Sequence, residues 1–178
     1  RLEYRGYDSA GIALFGTHQD FYVVHATGKL DALIQRIEGT MPPAIVGIGH
    51  TRWATHGEPA DRNAHPQLDP DGRIAVVHNG IIENFEELRR KHARGPFRSE
   101  TDTEVLAHML AGRLERGEDL LDAVRAVAAE ATGAYSLIAV DANEPGRLVA
   151  ARIGNAGGIV VGVGEHENLA ASSRYFSF

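Results

Sequence analysis

At 178 residues, 43% hydrophobic and 24% charged, the chain has the length of one domain and the composition of a soluble globular protein. A net charge of −6 argues against a nucleic-acid or anionic-membrane surface, and no apolar run is long enough to span a bilayer. With no cysteine, disulfides and thiolate metal sites are excluded, and no signal-peptide pattern opens the chain.

The chain starts at Arg1, not Met, and Arg1–Tyr4 reads as the tail of an amphipathic helix, so a fragment is expected. A dense polar turn, Tyr4–Gly11, feeds a strand over Ile12–Phe15. Tyr22–Ala26 pairs with it as a hairpin across the polar stretch Gly16–Asp20. Leu30, Leu33, Ile34 and Ile37 fall at helical spacing, and Gly39 stops that helix. After Pro42-Pro43, Ala44–Ile48 reads as a buried strand ending in the polar turn Gly49–Gly57.

Pro59–Gly72 is a polar loop long enough to be functional. Arg73–His78 is a buried strand ending in Asn79-Gly80. Asn84 with Glu87, and Thr101 with Glu104, are spaced as capping boxes opening two helices. The first turns Phe85 and Leu88 inward. The second carries Val105, Leu106, Met109, Leu110 and Leu114 on one side. A third helix, with Leu120, Leu121, Val124, Val127 and Ala131 inward, stops at Gly133. Tyr135–Val140 with Leu148–Arg152, and Ile159–Val163 with Leu169–Ser172, read as hairpins. Hairpins at both ends with helices between them predict one layered α+β domain of antiparallel sheets.

Four polar clusters sit at strand ends or helix starts: Arg5–Gly11, Gly49–Gly57, His78–Asn84 and Ser99–Glu104. Arg52 offers a rigid fork of donors for a carboxylate, and Trp53 can wall a pocket. Asp102, in a first helical turn, can pair with an ammonium. The Asn79 amide and the Gly80 N–H can converge on a developing oxyanion. Together these would orient an α-amino acid and polarise a carbonyl on its side chain. Simpler accounts stand beside each: a solvated Arg52 and a core Trp53, an Asn-Gly turn, and an Asp favoured by the helix dipole. The nine histidines lack the i, i+4 pair of a zinc helix, so no metal and no cofactor is expected.

Glu3–Gly11, Gly49–Gly57, Val77–Asn84 and Ser99–Glu104, in this order, closely resemble the glutaminase domains of the glutamine–fructose-6-phosphate aminotransferase family. These are class II glutamine amidotransferases, and the resemblance runs from Arg1 to about Ser172. The wording of Arg52–Gly57 favours this family over the phosphoribosylpyrophosphate amidotransferases, which resemble it but carry Tyr and Ser in this motif. The resemblance implies a four-layer αββα sandwich of the N-terminal-nucleophile type. It assigns Arg52 to the glutamine α-carboxylate, Asp102 to the α-ammonium, and Asn79 with Gly80 to the oxyanion hole. Trp53 would sit in a mobile loop near the ammonia path. Thr55, His56 and His65 would line the glutamine pocket, and Arg5 would support the nucleophile end. Residues 152–158 and 173–178 depart from the family pattern.

The family uses an N-terminal cysteine with its own α-amine as general base, an amine of unperturbed pKa near ~8. The expectation is therefore a glutaminase domain over 1–178 that lacks its N-terminal strand and helix, its cysteine and its sugar-isomerase domains. Such a chain is inactive by itself. Its parent would be a cytoplasmic homodimer that hydrolyses L-glutamine through a thioester and passes ammonia to fructose 6-phosphate. The alternatives are another class II amidotransferase, a catalytically silent glutamine-binding module, or a zinc-binding structural domain.

Overall fold

The computed structural model describes residues 6–16 and 20–172. The expectations for Arg1–Arg5, for part of the Gly16–Asp20 connection and for Ser173–Phe178 lie outside these residues. Among the described residues, nine strands and four α-helices follow one another as β1 (Ser9–Gly16), β2 (Tyr22–Thr27), α1 (Leu30–Ile37), β3 (Ala44–Arg52), β4 (Gln67–Leu68), β5 (Ile74–Ile82), α2 (Phe85–His92), α3 (Glu104–Leu114), α4 (Leu120–Glu130), β6 (Gly133–Asp141), β7 (Leu148–Ile153), β8 (Val160–Val163) and β9 (Asn168–Ala171). Two antiparallel sheets, ordered β2-β1-β3 and β4-β5-β6-β7, form the body, and β8 and β9 make a two-stranded ribbon.

Three apolar layers separate four structural ones. Ala10, Ala26 and Leu33 join α1 to the first sheet. Ala13, Ile48, Ala75, Val77 and Val140 lie between the two sheets. Ile74, Val76, Leu106, Leu110, Val124 and Leu137 belong to the largest cluster, which seats α2, α3 and α4 on the second sheet. The order is helix, sheet, sheet, helices: the expected αββα sandwich. Strand periodicity explains it, since β5 sends Ile74 and Val76 to the helices and Ala75 and Val77 to the facing sheet.

Several local expectations are corrected. Gly49–Arg52 is not a turn: β3 continues to Arg52, with Ser9 opposite Arg52 and Gly11 opposite His50. Nor is its apolar start buried, because β3 is an edge strand and Ile45 is 69% exposed. Neither capping box forms. The Asn84 side chain spans to the α4–β6 connection, donating to the Glu130 carbonyl and accepting from Thr132 N–H. Glu104 accepts from Arg98 N–H, Ser99 N–H and the Ser99 hydroxyl, tying down the approach to α3. Helix α3 is enclosed on every side from Glu104 to Ala111, because it lies under the sheet with α2 and α4 flanking it. The Pro59–Gly72 loop contains a 3-10 turn, Asp61–Asn63, and the short strand β4.

Candidate active site

A cavity of about 760 Å³ opens between the sheets where the apolar inter-sheet layer ends. Its wall includes Arg52, Trp53, Thr55, His65, Asn79, Gly80 and Asp102, so most of the residues expected at a site are brought together. His56 is not part of that wall. Its ring packs edge-on against Phe85, with Nδ1 3.8 Å from Asp102 Oδ2. Arg5 lies outside the described residues.

Arg52 ends β3 and is 4% exposed. Its Nη2 donates to the His56 carbonyl and, at 3.2 Å, to the Gly57 carbonyl, while Nη1 is buried without a partner. A charged guanidinium with one unused donor edge is suited to a carboxylate. The loop after it is pinned from behind: Asp8 accepts from Ala54 N–H at 2.8 Å, and Asp8 N–H donates to the Arg52 carbonyl. Sequence reasoning did not single out Asp8. Its place beside Arg52 follows from the β1–β3 register, which the residue pattern alone does not set. Trp53 is 57% exposed and stacks obliquely on Tyr7, 5.3 Å away, so it is not a core residue.

The opposite wall is the end of β5. Asn79 and Gly80 are paired within the sheet, opposite Ser136 and Tyr135, which removes the Asn-Gly turn reading. Gly80 has φ +132, and a Cβ there would stand 2.3 Å from the Ala134 carbonyl oxygen. Only glycine fits that backbone. Gly157, in the segment that departs from the family pattern, also lies close: a Cβ there would be 3.4 Å from Asn79 Nδ2.

Asp102 precedes α3 and is 3% exposed. It accepts from Ile82 N–H at 3.0 Å, and its two oxygens lie 3.8 Å from His56 Nδ1 and His78 Nδ1. A buried carboxylate with a single hydrogen-bond donor in reach among the described residues is suited to a cation. Thr103, fully buried, sits 3.0 Å from His78 Nδ1 and 2.9 Å from His65 Nε2. Burial lowers the pKa of His65 and of His78, and pushes His50 down to about 3. The histidine cluster is therefore neutral at pH 7. Among the described residues, no group of three or more His, Asp or Glu is arranged to hold a metal ion.

The cavity thus has an arginine, an aspartate and the Asn79-Gly80 pair of β5 on its walls. Solved structures share the fold. Glutamine phosphoribosylpyrophosphate amidotransferase from B. subtilis superposes with a TM-score of 0.77, over 96% of this chain and 37% of that one, at 24% identity. A glutamine aminotransferase class-II domain protein from Silicibacter pomeroyi superposes at 0.65, over 93% and 84%, at 17% identity. At these identities the likeness is one of fold.

A family model described as a glutamine amidotransferase domain matches residues 50–173, and the chain belongs to that family. Relatives named glutamine–fructose-6-phosphate aminotransferase (isomerizing) are 53% identical in Thermus thermophilus, over 97% of this chain, and 48% identical in Vibrio parahaemolyticus, over 98%. The chain spans 28% of the length of each of these relatives. Among the described residues, no helix is long and apolar enough to cross a membrane.

Proposed function

We propose that residues 1–178 form the glutaminase domain of a glutamine–fructose-6-phosphate aminotransferase. The observation that carries this is that Arg52, Asp102, Asn79 and Gly80 all line one cavity. Arg52 takes the α-carboxylate and Asp102 the α-ammonium of L-glutamine, which sets the side-chain amide toward β5. The Asn79 amide and the Gly80 N–H receive the oxyanion as the amide carbonyl becomes tetrahedral. Trp53, exposed on its pinned loop, covers the entrance, with Thr55 and His65 on the wall and His56 holding Arg52 through its carbonyl.

The attacking thiol is not among these residues, because the chain contains no cysteine. Ser9 and Thr55 lack an adjacent amine, so neither replaces it. This chain therefore binds glutamine without turning it over. In the full protein, a cysteine with a free α-amine forms the thioester, and ammonia passes to a sugar-isomerase unit that holds fructose 6-phosphate. The full protein is a cytoplasmic homodimer on this reading.

Titration calorimetry of the chain tests the site directly. Glutamine should bind, Arg52→Ala should weaken it by about 2–4 kcal/mol, and Asp102→Asn should weaken glutamine more than an analogue lacking the α-amine. Equal binding by wild type and Arg52→Ala would remove the carboxylate assignment. Glutamine hydrolysis by the cysteine-free chain would remove the thioester mechanism.

A further inference from the structure

Thr103 is wholly buried between two imidazoles, and the chemistry of its hydroxyl is restrictive. His78 Nδ1 lies 3.0 Å away on one side and His65 Nε2 2.9 Å away on the other. The two remaining ring nitrogens, His78 Nε2 and His65 Nδ1, are buried without partners. A hydroxyl has one hydrogen to give, and each neutral imidazole has one N–H. If Thr103 donates to His65 Nε2, it must accept from His78 Nδ1–H, and both rings carry hydrogen on Nδ1. If it donates to His78 Nδ1, it accepts from His65 Nε2–H, and both carry hydrogen on Nε2. The mixed states either face two lone pairs at one hydroxyl hydrogen or leave a buried O–H with no acceptor, and both are penalised.

The choice between the two permitted states is made by charge. Asp102 Oδ1 lies 3.8 Å from His78 Nδ1, so the carboxylate favours an N–H at that nitrogen. The other groups facing the pair do not oppose this. His50, 4.7 Å from the His65 ring, is held neutral by burial, and His56 Nδ1 lies 3.8 Å from the other Asp102 oxygen, Oδ2. The Arg52 charge acts on Asp102, His50 and His65 together.

We infer that Thr103 is a positioning residue of this site: its hydroxyl locks His65 and His78 into one shared tautomer, and Asp102 selects the form with hydrogen on Nδ1. The consequence for binding rests on the glutamine reading above. An ammonium paired with Asp102 withdraws the charge that holds hydrogen on His78 Nδ1. Both rings then pass to the Nε2–H form, which reverses the hydrogen-bonding character of the residue next to Asn79. Atoms balance within this change. One proton is taken up at His78 Nε2, its Nδ1 proton moves to the Thr103 oxygen, the Thr103 proton moves to His65 Nε2, and one proton leaves His65 Nδ1.

Long-range proton–nitrogen correlation spectra of the histidine-labelled chain at pH 7.5 test the lock without any ligand. His65 and His78 should both appear as Nδ1–H. In Asp102→Asn both should pass together to Nε2–H, and Thr103→Ser should retain this joint response. Thr103→Val, which keeps the shape and loses the hydroxyl, should uncouple them, so that adding Asp102→Asn to it changes His78 alone. Opposite tautomers in the wild type, a shared Nε2–H state, or a joint response in the Val background would each overturn the proposal. Glutamine added to the wild type should move both rings. A lock that passes every ligand-free test but ignores bound glutamine would overturn the coupling and leave the lock standing. A lock that ignores glutamine because none binds counts instead against the function proposed above.

Discussion

The two halves of β5 are built to opposite rules. Ile74, Ala75, Val76 and Val77 are buried on both faces, two against the helices and two against the facing sheet. The next three residues are a neutral buried histidine, an exposed asparagine and a glycine with φ +132. One continuous ladder to β6 runs through both halves. The difference teaches where this fold can place chemistry. Ile74–Val77 anchor the strand on both faces and Ile82 anchors its end in the helix-side core, so His78, Asn79 and Gly80 between them are held on the cavity wall.

Gly80→Val should break the contrast most completely. A Cβ there meets the Ala134 carbonyl and the Tyr135 Cα within 2.6 Å, in a φ region side chains rarely adopt. The strain and the clash together should cost on the order of 2–6 kcal/mol. Val76→Ala, two residues before His78 in the apolar half, should cost less, since the methyls removed leave a small gap that the helices can partly close. Urea denaturation compares the two. A Gly80→Val chain as stable as Val76→Ala would mean that the ladder yields at that point.

Asn79→Ala addresses the other half of the contrast. The residue is exposed, so stability should hardly change. On the function proposed above, kcat for glutamine hydrolysis by the full protein should fall by roughly 10²–10³ with little change in KM, because an oxyanion donor acts in the transition state. A normal kcat with a raised KM would make Asn79 a ground-state contact instead.

Acid should distinguish the halves by another route. His50 is held down to about 3 by burial, and in the unfolded chain it titrates near ~6.5. Above that value both states are neutral and nothing is gained. As pH falls below it, the unfolded chain takes up the proton first, so stability drops. For His50 alone the loss is about 2 kcal/mol by pH 5, and His65 and His78 act in the same direction. The carboxylates with depressed pKa, Glu130 and Glu104 among them, lose their contributions only at lower pH. Melting temperature should therefore fall between pH 7.5 and 5 in the wild type, and less so in His50→Gln. A flat profile over that window would show that the histidine cluster is open to water.

Much of this was legible in the residues and some was not, for physical reasons. Strand and helix positions followed from periodicity, because the layers that bury them are continuous. The cavity residues Arg52, Asn79 and Asp102 could be named because polar groups at the ends of apolar strands and at helix starts are conspicuous. Asp8 and Thr103 could not. Asp8 reaches Ala54 through the β1–β3 register, and Thr103 reaches His65 and His78 across 38 and 25 residues of sequence. Local spacing carries no information on such pairings. The exposure of Ile45 was misread for a related reason: an apolar strand looks the same in sequence at the edge of a sheet and in its middle.

The capping boxes failed more instructively, and Asn84 offers the smallest and most discriminating test. It occupies the residue before α2, where Asn, Asp and Ser cap equally well by accepting from helix N–H groups. Its side chain instead donates to the Glu130 carbonyl at 3.1 Å and accepts from Thr132 N–H at 2.9 Å, joining α2 to the far end of α4. Asn84→Ala loses both bonds and should cost about 1–2 kcal/mol. Asn84→Asp separates the two accounts. A cap would be kept or strengthened by the carboxylate at the helix N-terminus. A cross-link would keep the bond from Thr132 N–H but set a carboxylate oxygen against the Glu130 carbonyl. The Asp variant should therefore be about 1 kcal/mol less stable than wild type, measured by urea denaturation at pH 7.5, where the carboxylate is ionised. An Asp variant equal to or more stable than wild type would restore the cap and make the link to α4 incidental.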